Sequence, residues 1–238
     1  MRYLQLLALP VISIGAFSMI GCDARSGGVD IWNAVAADSI DDVRVFAQSG
    51  GNLNQKNASG ETVLMHALEK GSLASFGELL ALGADPNIPM SDGRTITAWA
   101  ISKKETDWLR LALEHKADPN MLSMSRASKF DLPPLRFATS SGTLAHAKLL
   151  VEYGADVNYL NAAKQRPLIF AMGMGRYDVV ILLLDAGADF NAADTEPHSF
   201  LDEVRRLSED KESLLVVPKL RQQFEEVEAW LNAHGVKF

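Results

Sequence analysis

Apolar residues recur in the chain as pairs at the ends of short polar-flanked segments: Leu79-Leu80, Ala112-Leu113, Leu150-Val151 and Leu183-Leu184. A closing phrase follows each pair: Gly83-Ala84-Asp85-Pro86-Asn87, Lys116-Ala117-Asp118-Pro119-Asn120, Gly154-Ala155-Asp156-Val157-Asn158 and Gly187-Ala188-Asp189-Phe190-Asn191. An earlier copy reads Gly51-Asn52-Leu53-Asn54, so the closing asparagines stand 33, 33, 38 and 33 residues apart. A second landmark lies about eight residues after most asparagines, clearest in Thr62-Val63-Leu64-Met65-His66-Ala67. Weaker copies begin at Thr95, Pro133 and Arg166, with a fainter one at Ser199. Self-similarity at a fixed period of this length is the mark of a repeat architecture in which each unit stacks on its neighbours. Local chemistry agrees with that reading. Thr62 can cap a helix start, Pro134 and Pro167 suit a first helical turn, and Gly83, Gly154 and Gly187 permit a left-handed helix end. Two further apolar patterns lie outside the period. One is the run from Tyr3 to Ile20; the other is Leu220, Phe224, Val227, Trp230 and Leu231, which predicts an amphipathic helix over 218–233.

The landmarks resemble the ankyrin repeat, whose unit opens on Thr-Pro-Leu-His-x-Ala and closes on Gly-Ala-Asp-x-Asn. The resemblance implies an all-α solenoid of about five to six helix-turn-helix repeats, at approximately 30–54, 55–87, 88–120, 121–158 and 159–191, ending in a divergent helical cap over 192–238. The third repeat is expected to be the weakest, because Lys116 replaces glycine and Thr97 replaces leucine. The finger between the third and fourth repeats is five residues longer than the others. Trp99 falls on a first helix, facing either the concave surface or the next repeat, and core packing is the favoured expectation.

The start of the chain changes the setting of this array. Arg2, the apolar run and Met19-Ile20-Gly21-Cys22 follow the order of a secretory signal with its cleavage region. The last four residues resemble the lipobox of bacterial lipoproteins. That resemblance implies a signal peptide at 1–21, lipid attachment at Cys22 and a tether over 22–29 before a domain at 30–238. An uncleaved anchor is the alternative, since the apolar run is just long enough to span a bilayer. Asp23 after the cysteine resembles an inner-membrane retention signal, which places the domain in the bacterial envelope facing the periplasm. Ser26-Gly27-Gly28 makes the tether flexible.

Composition narrows the chemistry. Thirty acidic against 23 basic residues give a net charge of −7, which argues against a nucleic-acid partner. The one cysteine forms no internal disulfide, and His66, His115, His146, His198 and His234 are scattered without ligand spacing, so no metal or cofactor is expected. Asp41-Asp42 and Glu225-Glu226-Glu228 suggest solvated helix faces rather than catalytic pairs. No nucleophile, acid and base converge, so an enzyme and a small-molecule substrate are not expected.

What remains is a protein-binding surface. The family resemblance assigns it to finger tips and exposed first-helix ends, here Ser59, Glu61 and Lys70, then Asp92, Arg94 and Lys103, then Arg126, Lys129 and Phe130 in the long finger, and Gln165. It also implies a role resembling that of ankyrin-type immunity lipoproteins, which neutralise type VI secretion lipase effectors. A scaffold or accessory subunit of an envelope enzyme, such as one of oxidative-stress defence, is the alternative.

Overall fold

A side-chain acceptor or a proline opens most of the helices. Asp30 accepts the Trp32 amide, Ser39 that of Asp42, Thr62 that of Met65 and Thr95 that of Ala98, while Pro134, Pro167 and Pro218 stand in first turns. Each cap satisfies an amide that the helix itself leaves without a partner. A computed structural model of the chain describes residues 28–124, 131–192, 199–210 and 217–238. The leader, Cys22 and Asp23, together with Arg126, Lys129, Phe130 and His198, lie outside the described residues.

Twelve α-helices occur among the described residues. They pair as α1 (Ile31–Ala36) with α2 (Ile40–Gln48), α3 (Val63–Lys70) with α4 (Leu73–Ala81), and α5 (Ile96–Ala100) with α6 (Asp107–Glu114). Next come α7 (Pro134–Ser140) with α8 (Leu144–Glu152), α9 (Pro167–Gly173) with α10 (Tyr177–Asp185), and finally α11 (Phe200–Glu209) followed by α12 (Pro218–Ala233). First helices form one layer, with α1 on α3, α5 on α7, α7 on α9 and α9 on α11. Second helices form the other, running α2, α4, α6, α8, α10 and α12. The core lies between the layers and repeats with the sequence: Leu64, Ala67 and Leu68 meet Phe76 and Leu79, and Leu168 and Ala171 meet Val180 and Leu183. The all-α expectation holds for the array, with one addition. A short antiparallel ladder, β1 (Ser123–Met124) with β2 (Asp131–Leu132), forms at the base of the long finger.

Polar bonds tie successive units along the loop edge. The Asn54 side chain accepts the Asp85 amide at 2.8 Å, Asn87 that of Asp118 at 2.7 Å, Asn120 that of Asp156 at 2.7 Å, and Asn158 that of Asp189 at 2.8 Å. The amides of Asn87, Asn120 and Asn158 donate to the carbonyls of Lys116, Gly154 and Gly187 in turn. Within each loop the aspartate accepts the asparagine's own amide, as Asp85 does from Asn87 at 2.8 Å. The closing phrase therefore fastens one unit to the next.

Gly83, Gly154 and Gly187 stand just past the ends of α4, α8 and α10 with φ of 96°, 88° and 84°, and Lys116 is held at 68° in the equivalent place after α6. A side chain there costs roughly 1–2 kcal/mol, part of which is offset because lysine loses less backbone freedom on folding than glycine. Lys116→Gly should therefore raise stability by about 0.5–1 kcal/mol, seen in thermal denaturation as a Tm higher by roughly 2 °C. An unchanged or lower Tm would show that the third repeat carries no strain at this turn.

Among the described residues, the second layer contains one buried histidine. His146 is wholly buried in α8, where Nδ1 accepts the Thr143 amide at 3.2 Å and completes a capping box. Burial holds the imidazole below its ordinary value, weakly opposed by the Glu105 main chain. The folded state thus binds a proton less readily than the unfolded chain, so this group's contribution is intact above about pH 6.5 and falls as pH drops. His146→Gln should flatten the loss of stability below that pH, measured by urea denaturation at several pH values; an identical slope in both proteins would exclude His146 as the cause.

Candidate interaction groove

Finger tips reach the first-helix layer through short polar loops that sequence spacing alone leaves open. Asn57 organises the second finger. Its Oδ1 accepts the amides of Ser59 and Glu61, and its Nδ2 donates to Glu61 Oε2 at 2.7 Å. Glu61 is consequently drawn inward and is 7% exposed, which corrects its assignment as an exposed partner contact. Its Oε1 lies 3.4 Å from His66 Nδ1, and the His66 ring meets Trp32 edge-on at 5.3 Å. Glu69, one turn along α3, has its carboxyl held above the usual range, first by burial and then by the neighbouring Glu61 charge. This is a genuine carboxylate pair. Asp41-Asp42 and Glu225-Glu226, read from sequence as solvated faces, are different in kind, since Asp41 is 93% exposed at its side chain and Glu225 and Glu226 are exposed on α12.

Arg94 joins that cluster to the next repeat. Its Nε donates to Asp92 Oδ2 at 2.8 Å, its Nη1 lies 3.7 Å from Glu69, and its guanidinium lies over the Trp99 ring at 4.0 Å. Trp99 is thus partly exposed on the first-helix face rather than sealed in the core, which corrects the packing expected of it. Stacked cation and indole form one wall of a groove of about 290 Å³, lined also by Ala98, Ser102, Ser123, Met124, Phe137 and Ser141. The long finger supplies the opposite edge. The Met124 amide donates to the Gly93 carbonyl at 3.0 Å, and Ser123 Oγ accepts the Thr95 amide at 3.2 Å. A Cβ on Gly93 would meet the Met124 side chain, so only glycine allows the two fingers to approach this closely. Met124 is 51% exposed beside the indole.

A second, narrower cleft follows between the fourth and fifth repeats, lined by Pro133, Arg136, Tyr159, Asn161, Gln165, Arg166, Pro167 and Phe170. Asn161 repeats the role of Asn57, its Oδ1 accepting the Gln165 amide at 2.9 Å.

The structure brings Asp92 and Arg94 together at the groove and places Gln165 in the neighbouring cleft. Ser59 and Lys70 are exposed and line neither. Lys103 lies 5.3 Å from the Trp108 ring, over the second-helix layer. Thr139, at a first-helix end, is wholly buried and donates to the Leu135 carbonyl. Sequence reasoning missed Phe137 and Phe170. Each stands four residues after the residue that opens its helix, as His66 does after Thr62 and Trp99 after Thr95. An aromatic ring recurs at that offset, one per repeat, and all four are partly exposed on the same helix layer.

The family profile described as "Ankyrin repeats (3 copies)" matches residues 31–123 and 122–194. The chain belongs to the ankyrin-repeat family. Ankyrin repeats mediate protein–protein interaction, and the fold is generally a non-catalytic interaction module. Similar curated proteins include a putative ankyrin repeat protein of Rickettsia felis, 28% identical over 54% of this chain and 42% of that protein. Another, from Fowlpox virus, is 25% identical over 69% of this chain and 37% of its own length. The chain spans under half the length of these ankyrin relatives. Among solved structures, an ankyrin repeat domain from Acinetobacter baumannii superposes with a TM-score of 0.67 at 24% identity, covering 87% of this chain and 98% of that one. The last comparison speaks for the ankyrin fold alone. No helix among the described residues is long and apolar enough to cross a membrane, and no three His, Cys, Asp or Glu side chains among them are grouped to hold a metal ion.

Proposed function

We propose that the chain is a membrane-tethered interaction module of the bacterial envelope that faces the periplasm and neutralises a secreted antibacterial toxin, such as a type VI phospholipase effector. The observation that carries the binding half is the groove in which Arg94 stacks on Trp99 beside Phe137 and Met124. An aromatic ring and a guanidinium, both partly buried and fixed by their own neighbours, have the character of an interface hot spot. The tether rests on the Met19-Ile20-Gly21-Cys22 sequence, and the toxin on the resemblance to immunity lipoproteins. A short lipidated link would keep the array at the bilayer surface, where a lipase acts. Two or more acyl chains give firm attachment at about 0.8 kcal/mol per buried methylene.

Capture from solubilised envelopes, paired with a toxicity rescue assay, tests the reading. Binding of a lipase with loss of its activity supports immunity, whereas capture of a resident envelope enzyme without inhibition favours a scaffold. Palmitate labelling should be lost, and the domain released from membranes, in Cys22→Ala. Labelling that persists would refute attachment at that residue.

A further inference from the structure

Among the described residues, most arginines of the array hold an acid of the same chain. Arg44 bonds Glu78 at 2.8 Å, Arg94 bonds Asp92, Arg176 bonds Asp178 at 3.0 Å, and Arg205 and Arg206 bond Asp202 and Glu203. Arg136 differs. Its guanidinium carbon lies 3.2 Å from the centroid of the Phe170 ring, and its Nε and Nη1 are buried with no hydrogen-bond acceptor among the described residues. Burial pulls its pKa below the ordinary arginine value. An arginine nevertheless keeps its charge in a protein, so the group remains a cation that wants an acceptor. A buried donor left unmade costs about 1–3 kcal/mol, more when it is charged. No acid of the cleft answers it, because its polar neighbours in the loop before α9, Tyr159, Asn161, Gln165 and Arg166, include none.

We propose that Arg136 receives an acidic side chain of the bound protein, so that the partner segment carries a carboxylate next to the apolar residue that fills the Trp99–Phe137 groove. The inference rests on the groove being the docking surface and deepens it by naming the chemistry of the partner. Arg136 and Phe137 are consecutive in α7, so one faces the narrow cleft while the other lines the groove. The space open in the cleft is only about 10 Å³, which is roughly one water or one carboxylate oxygen. That is too little to enclose a free anion, yet enough for the tip of a side chain delivered by a segment already seated alongside. A carboxylate matches the planar fork of a guanidinium and forms the stronger, charge-assisted bonds. Such a site within a chain of net charge −7 would favour partners by local complementarity rather than by overall attraction.

The test uses a display library of random dodecapeptides selected on the full chain in detergent, followed by affinity measurements on Trp99→Ala, Arg136→Met and Arg136→Lys. Peptides that depend on Trp99 should share one Asp or Glu at a fixed spacing from an aliphatic or aromatic residue. Arg136→Met should bind them about 10- to 100-fold more weakly. Changing the peptide acid to its amide should weaken binding to the native chain by a similar factor and leave binding to Arg136→Met unchanged. Arg136→Lys, which keeps the stem and the charge, should fall between the two and serves in place of the methionine variant if that one loses its helical signal. An equal loss for the amide peptide on native and variant chains would overturn the proposal, as would Trp99-dependent peptides without an acid. Displacement of the peptides by millimolar inorganic phosphate would assign the site to a free anion and overturn it too. Peptides indifferent to Trp99→Ala, or no selected peptide at all, would instead sink the groove reading and this inference together.

Discussion

Phe224→Ala should lower stability by about 3–5 kcal/mol, the largest single loss expected in the array. The ring is wholly buried on α12 and meets Tyr177 of α10 edge-on at 5.3 Å. Val227 and Leu231 lie beside it at full burial, and Trp230 Nε1 donates to Asp185 at 2.7 Å. Because each unit of a repeat array touches only its neighbours, stability is a sum of local terms, and the end of the stack depends on whatever covers it. Removing the ring leaves a cavity between α10 and α12 at the contact that holds the last helix on the stack. A Tm lower by roughly 6–20 °C is expected, at 2–4 °C for each kcal/mol in a chain of this size. Hydrogen exchange should show α10 and α12 opening first, while α1 to α4 keep their protection. Uniform loss of protection along the chain would mean that the array unfolds as one unit and that α12 is not an independent cap.

Trp99→Ala should have the second largest effect, and on binding rather than on folding. A tryptophan at the centre of a docking groove is worth about 2 kcal/mol or more, which is roughly a 30-fold loss of affinity. The indole is packed on one side against Arg94 and open on the other, so truncation also releases the guanidinium that it orients. Arg94 would keep its bond to Asp92 and lose only its stacking partner. The thermal midpoint should therefore change far less than in Phe224→Ala. Titration of the captured partner against the native and variant chains measures the difference. Affinity unchanged within a factor of two or three would remove this groove from the binding surface.

Much of the array was legible because its determinants are local. Thr62 and Thr95 cap helices, Pro134 and Pro167 begin them, and the closing glycines adopt left-handed backbone, all within a few residues of the sequence signal. The terminal helix was legible for the same reason, since Phe224, Val227 and Leu231 mark one buried face. The groove was harder to see. Glu61 looks like a surface residue in sequence, and only the two-way bond with Asn57 turns it inward. Trp99 looks like a core residue, and only the guanidinium of Arg94 and the approach of Met124 to Gly93 make it a wall. The approach of Met124 to Gly93 joins separate fingers, a pairing that no local pattern encodes, and the other two contacts depend on how a loop of four or five residues folds back on itself. Phe137 and Phe170 were within reach, because the four-residue offset they share with His66 and Trp99 can be counted along the chain.

The asparagine contacts along the loop edge have a consequence for engineering. Three of the four span 31 residues, whereas Asn120 reaches the Asp156 amide across 36 and does so at the same 2.7 Å as Asn87 reaches Asp118. Five additional residues are thus absorbed in a single loop with no change in the step between units. A foreign peptide grafted between β1 and β2 should likewise leave the helices on either side in register, which makes the third-to-fourth finger the natural insertion point of the array.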